Sequence, residues 1–137
     1  MSRYDFAAQR LFLDAPFTPG ASVTLTREQA NYLLNVLRLK QGDAILVFNG
    51  RDGEFLARLD AVTKKSAALR IEERRRAQQA GPDLHYLFAP LKHARLDYMV
   101  QKAVEMGASC LRPVITARTQ VHRVNLDRMR ANAIEAA

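Results

Sequence analysis

The side chains of this sequence whose type and spacing could do chemistry are mostly basic, and the chemistry they suit is the gripping of phosphate. Of 137 residues, 21 are Lys or Arg against 14 Asp or Glu, a net charge of +7. Residues 1–80 carry 13 basic and 9 acidic side chains, and residues 81–137 carry 8 and 5, so both halves can face one polyanion. That balance makes nucleic acid the leading partner class, through phosphate contacts and release of counterions. The residues that stand out are Arg10, Arg38 and Lys40 in the first half and Lys92, Arg95 and Arg118 in the second. Arginine offers a planar fork to phosphate and a face to bases, and RNA recognition uses both. Taken singly, each of the six reads equally well as a solvated surface charge.

Other constellations carry less. Gly50 and Gly53 sit in a hairpin rather than at a strand-to-helix turn, so there is no glycine-rich phosphate loop. His85, His93 and His122 lack the spacing of metal ligands. Cys110 is the only cysteine, which excludes an intrachain disulfide and a thiolate cluster; it reads as a buried structural thiol. Glu72 and Glu73 read as a solvated strand end. Lys102 and Glu105, three apart on a helix, read as a surface pair or as organisers of the loops at the strand ends. No catalytic, cofactor-binding or metal-binding residue is expected among these residues.

The elements that must position the basic side chains follow from periodicity and turn chemistry. Short strands are expected at residues 11–13, 22–25, 44–48, 54–61 and 67–71, separated by turns at Pro16, Pro19 and Gly20, at Gly42, at Asn49-Gly50 and at Lys64-Lys65. Thr26 and Gln29 have the spacing of a capping box and open a helix that should run to Leu37, with Ala30, Leu33, Leu34 and Leu37 inward. Five strands and one helix suggest a small barrel over residues 1–75. Residues 76–83 read as a linker; Arg74 to Arg76 at its edge suit either RNA or solvent.

The pattern then changes. Residues 84–89 form an apolar strand, residues 94–106 an amphipathic helix stopped by Gly107, and residues 111–116 a second strand, a βαβ unit with parallel strands. Asn125 caps a last helix. Two parallel strands leave faces with nothing to cover them, so residues 84–137 are expected to be the opening of a larger α/β domain. The fold class is thus α+β followed by α/β. No signal peptide or membrane-length apolar run appears, and a cytoplasmic location is expected.

Two blocks of sequence also resemble a known family. One runs from Arg10-Leu11-Phe12 through Val36-Leu37-Arg38-Leu39-Lys40 and Gly42-Asp43 to Phe48-Asn49-Gly50. The other runs from Leu96 to Gly107, then Arg112-Pro113-Val114 and Thr116-Ala117-Arg118. Together they resemble the RsmE-type family, which methylates N3 of a uridine in small-subunit ribosomal RNA. The resemblance implies a PUA-like RNA-binding barrel, then the first βαβ unit of a truncated SPOUT-type parallel sheet. It implies S-adenosyl-L-methionine as cofactor of the parent protein, bound in a C-terminal knot whose motifs are not in these 137 residues, and a parent homodimer formed through that knot. It implies that these residues alone bind ribosomal RNA and are inactive. This sequence has Met106 where the family commonly has Leu, a volume-conserving change. It has Ala117 where the family commonly has Glu, which removes a charge beside Arg118.

Two rival readings stand beside this one. One is a free-standing RNA-binding module. The other is an interaction protein whose exposed sheet edge is completed by a partner.

Overall fold

Alternating apolar residues build the first of two units. The computed structural model describes residues 7–137, and the chain divides into one unit ending at Gln79 and another running from Ala80 to Ala137. In the first unit, strands β1 (Arg10–Phe12), β2 (Ser22–Thr24), β3 (Ala44–Phe48), β4 (Glu54–Asp60) and β5 (Ala68–Arg76) form one sheet in the order β1-β3-β4-β5-β2. β1 lies parallel to β3, and the other neighbours are antiparallel. Along β4, Phe55, Ala57 and Leu59 point inward and are buried, as period two requires. They meet Ile71 and Leu69 across β5 and Ile45 and Val47 across β3. Phe17 packs edge-on against Phe55 with ring centroids 5.5 Å apart, a favoured aromatic geometry.

The expected barrel is only partly a barrel. Among the described residues the hydrogen-bonded order ends on β1 and β2. Side chains rather than backbone close the curl there: Leu13 beyond β1 and Leu25 beyond β2 are buried in the same core.

The helix begins as its sequence dictates. Gln29 N donates to Thr26 Oγ1 at 3.2 Å, and Thr26 N donates to Gln29 Oε1 at 3.0 Å. This reciprocal pair satisfies two amides that the first helical turn leaves open. The helix does not run on unbroken to Leu37. Helix α1 (Arg27–Asn31) gives way to a π-helical turn at Tyr32–Val36, closed by Leu37 N on Tyr32 O at 2.9 Å. The wider turn keeps Ala30 and Leu33 in the core and leaves Val36 exposed. Arg38 follows at φ 56°, the left-handed position that usually ends a helix with glycine.

The β3–β4 loop is held by one buried side chain. Asn49 Nδ2 donates to Ala15 O and Asp52 Oδ2, and Asn49 Oδ1 accepts from the amides of Arg51 and Asp52. At Gly53 (φ 103°) a Cβ would collide with the Arg76 carbonyl and lie 2.9 Å from Gln78 N. That bare backbone lets β5 continue alongside. β5 therefore runs to Arg76 instead of stopping at 71, with register shifts opposite Glu54 and Phe55. Two expectations are corrected by this. Arg74 to Arg76 lie in a strand, and Glu72 lies within it, accepting from Arg58 Nε at 2.8 Å.

The second unit has β6 (His85–Phe88), α2 (His93–Glu105), β7 (Cys110–Pro113) and α3 (Leu126–Ala136). β6 and β7 pair in parallel, His85 opposite Cys110 and Phe88 opposite Pro113, as the βαβ reading requires. β7 is shorter than expected: Val114 N still donates to Phe88 O at 2.9 Å, and the chain then leaves the ladder and turns at Thr116. Phe88, Val100 and Met129 are buried together, with Leu96, Met99 and Leu111 packed around them. Gly107 takes φ 94° to end α2, and Asn125 Oδ1 caps α3 by accepting from Arg128 N at 3.0 Å. Cys110 is half-buried rather than buried. Among the described residues no helix is long and apolar enough to cross a membrane.

Candidate nucleic-acid interface

The two parallel strands of the second unit end on the same side, and the loops that follow them enclose a pocket. The loop after β6 supplies Ala89, Pro90, Leu91 and Lys92; the start of α2 supplies His93 and Arg95; the loop after β7 supplies Thr116, Arg118, Thr119 and Gln120. Its volume is 550 Å³. The ends of strands are where open α/β sheets bind ligands, because the loops there are free of the ladder.

The electrostatics of the pocket follow from its lining. Lys92, Arg95 and Arg118 surround it and no carboxylate lines it. Lys92 is also the N-cap of α2, and a lysine cannot accept a hydrogen bond, so no side chain caps the first turn. The partial positive charge of the helix start adds to the three cations. His93 begins the helix at φ 41°, a conformation that side chains with a Cβ seldom adopt. On the other wall, Thr116 N donates to Thr119 Oγ1 at 2.8 Å and Thr119 N to Thr116 O at 3.1 Å. That closed turn fixes the loop carrying Arg118.

A clamp behind the pocket holds α2 in place. Asp97 accepts from Arg128 Nε at 3.0 Å and Nη2 at 2.6 Å, and from Asn132 Nδ2 at 2.9 Å. The Arg128 hydrogen bond holds the Asp97 carboxyl below the usual carboxylate range, with smaller help from Asn132 and His93. Lys102 and Glu105 form their pair at 2.7 Å, but in the last turn of α2, at the end away from the strand-end loops. They do not organise those loops.

The six basic residues singled out in the sequence are therefore placed unequally. Lys92, Arg95 and Arg118 come together around one pocket. Arg10, Arg38 and Lys40 are not gathered in this way. Arg10 lies on β1, its Nε 2.7 Å from Glu54 Oε2 and its guanidinium 4.5 Å from the centre of the Phe48 ring. Its charge is already matched by a buried carboxylate. Arg38 and Lys40 are exposed on the chain between the π-helical turn and β3. The sequence reading passed over His93, Thr116 and Gln120 as pocket residues. It also passed over Arg27, Asn31 and Asn35, whose four-residue spacing on one helical face was the available signal.

Comparison with known proteins agrees with the two-unit architecture. A family model described as an RNA methyltransferase PUA domain matches residues 25–72, and one described as an RNA methyltransferase domain matches residues 78–137. The ribosomal RNA small subunit methyltransferase E of Rickettsia conorii is 29% identical over 128 residues, covering 93% of this chain and 52% of the relative. Its namesake from a Synechocystis species is 31% identical over 99 residues, covering 72% of this chain and 32% of the relative. This chain thus spans about half the length of the Rickettsia protein and less of the other. Among solved structures, ribosomal RNA small subunit methyltransferase E from Neisseria gonorrhoeae bound to S-adenosyl methionine superposes with a TM-score of 0.81 at 28% identity, covering 94% of this chain and 55% of that one. A putative methyltransferase from Legionella pneumophila, also with S-adenosyl methionine, gives 0.75 at 28% identity, covering 94% and 53%.

Proposed function

This chain belongs to the RNA methyltransferase family whose PUA and methyltransferase domains it matches, and we propose that it is the RNA-gripping portion of a ribosomal RNA methyltransferase. The substrate proposed is small-subunit ribosomal RNA, and the position N3 of a uridine. The cofactor of the parent protein is proposed to be S-adenosyl-L-methionine, and its assembly a homodimer. The first unit is assigned as the PUA-like RNA binder, and the linker expected at 76–83 begins only after Arg76, the last residue of β5. Residues 84–137 are assigned to a SPOUT-type catalytic domain.

One observation carries the reading: Lys92, Arg95 and Arg118 converge on a pocket at the strand ends with no carboxylate in its lining. Such a pocket suits a phosphate. It does not suit the sulfonium of S-adenosyl methionine, which is itself cationic and would face three positive charges. No step of methyl transfer is therefore assigned to these residues, and by themselves they are expected to bind RNA without transferring a methyl group. Bound S-adenosyl methionine supplies the methyl group in the parent protein. N3 of uridine carries a proton that must leave, and the base must be unstacked to be reached. The part played here is to hold the backbone beside that base, for which cations on fixed loops are the right equipment.

The test is RNA affinity against salt. Replacing Lys92, Arg95 or Arg118 by Ala should weaken binding to a small-subunit RNA fragment and lower the slope of log K against log salt by about 0.7–0.9 per lost contact. Wild-type affinity and slope in all three variants would remove this pocket from the interface.

A further inference from the structure

The first unit has a second basic hollow that none of the six residues above lines. It is formed by Arg27, Ala30, Asn31, Leu34 and Asn35 on one side and by Lys64 and Lys65 on the other, with a volume of 190 Å³. The first group projects from α1 and the π-helical turn. The two lysines come from the turn between β4 and β5.

Three features of this hollow suit an anion. First, its cations are uncommitted. Arg10, Arg51, Arg58, Arg75, Lys102 and Arg128 each have a carboxylate partner, whereas Arg27, Lys64 and Lys65 form no ion pair among the described residues. No acidic side chain lines the hollow either.

Second, the loop bearing the lysines is built rather than slack. Thr63 Oγ1 accepts from Ser66 N at 3.0 Å and from Lys65 N at 3.3 Å, and Thr63 N donates to Ser66 O at 2.8 Å. Lys64 and Lys65 are therefore presented from a fixed turn, and both line the hollow.

Third, the opposite wall carries amides that still have hydrogen-bonding capacity. Asn35 Nδ2 donates to Asn31 Oδ1 at 2.7 Å, which leaves the Asn31 amide hydrogens as donors. The wall runs from α1, which carries Arg27 and Asn31, into the π-helical turn, which carries Leu34 and Asn35, and such irregular turns are frequent where a helix serves a site.

We infer that this hollow seats a phosphodiester of the RNA, a second grip on the strand held by the first unit, with Arg27, Lys64 and Lys65 as its cations and Asn31 as a neutral donor. The inference rests on the reading of the chain as an RNA binder and adds a place where the RNA touches it. The hollow is about a third the volume of the strand-end pocket, a size that fits a phosphate and its ester oxygens better than a whole nucleotide.

The experiment uses the full chain and a single-stranded fragment of small-subunit ribosomal RNA, with affinity measured from low to moderate salt. The double variant Lys64→Gln/Lys65→Gln and the single variant Arg27→Gln should bind more weakly. The double variant should lose on the order of tenfold, and the salt slope should fall by about 0.7 for each phosphate contact removed. All three side chains are exposed, and far-UV circular dichroism and the thermal midpoint should stay at wild-type values. Arg70→Gln, on the exposed face of β5 outside the hollow, is the charge-matched control for Arg27→Gln.

The arms separate cleanly. Loss in the hollow variants with none in Arg70→Gln supports the inference. Equal loss in Arg70→Gln would overturn it, because net charge alone would then explain the change. Wild-type binding by the hollow variants, with loss only in the Lys92, Arg95 and Arg118 variants, would overturn it and leave the proposed function standing. No salt-dependent RNA binding by the wild-type chain would overturn both.

Discussion

The first unit wraps a curled sheet of five strands around Leu33, Val47, Leu59, Leu69 and Ile71, all fully or almost fully buried. The second unit buries Phe88, Val100 and Met129, and it leaves Leu87 58% and Met106 82% exposed. The difference comes from topology. An antiparallel sheet that curls brings its inner face onto itself, whereas a parallel pair needs layers on both faces. In the second unit α2 and α3 contribute to one small core with the sheet. What this teaches concerns division of labour. The first unit has a filled core and carries basic residues on its outside. The second is less filled, and the ends of its strands carry a basic pocket.

The largest effect that could break this comparison is a core truncation in each unit. Leu69→Ala removes a fully buried side chain from β5, between β4 and β2, and should cost the first unit about 3 kcal/mol. Val100→Ala deletes less from a smaller core and should cost the second unit about 1–2 kcal/mol. Denaturant titration read out by hydrogen exchange would resolve the units. Amides of β3, β4 and β5 should exchange most slowly, and those of β6 and β7 faster. Equal protection in both would mean that the second unit is as well packed as the first.

Much of this was legible in the residues. The Thr26 and Gln29 capping box, the Asn125 cap, the Gly107 stop and the alternation of Phe55, Ala57 and Leu59 are local signals, and each appears where its chemistry places it. What was not legible depended on distant partners. β5 runs on to Arg76 because Gly53, more than twenty residues earlier, leaves room for the Arg76 carbonyl. The π-helical turn keeps the same apolar spacing as a helix, so periodicity could not reveal it. The site divided in the same way. Lys92, Arg95 and Arg118 could be named because strand ends are predictable in a βαβ unit. The hollow at Arg27, Lys64 and Lys65 needed a helix and a turn more than thirty residues apart to be brought face to face.

A smaller effect sharpens the comparison through acid. In each unit an aspartate carboxyl is held below its ordinary range: Asp52 in the first and Asp97 in the second. For Asp52 the main cause is the Phe17 amide, followed by Asn49; for Asp97 it is the Arg128 hydrogen bond. A carboxyl with a depressed folded pKa contributes stability that is fully present above its unfolded value of about 3.9. That contribution is lost as pH falls through the folded value. Both units should therefore weaken below about pH 4, the second losing structure first because less core remains to hold it. Asp97→Asn should lower the stability of the second unit at neutral pH and flatten its acid limb without altering that of the first. Asp52→Asn should do the converse. An unaltered acid limb in Asp97→Asn would show that other groups govern the acid response there.

The smallest effect falls at Arg38, where stability and function should move in opposite directions. Its φ of 56° costs a residue with a Cβ on the order of 1 kcal/mol. Glycine would remove that strain and give back part of the gain through its freer unfolded chain. Arg38→Gly should therefore stabilise the first unit by about 0.5 kcal/mol, seen as a thermal midpoint a few degrees higher. If Arg38 contacts RNA, the same change should weaken binding and lower the salt slope, as backbone strain kept at a working residue would require. Arg38→Asn tolerates the conformation better than most residues and lacks the charge, so it should bind like the glycine variant with stability near wild type. A glycine variant that is both more stable and equally tight in RNA binding would leave the left-handed Arg38 without a function, and it would strike this residue from the interface. A glycine variant that is less stable would mean that the Arg38 side chain stabilises the fold by more than its backbone costs.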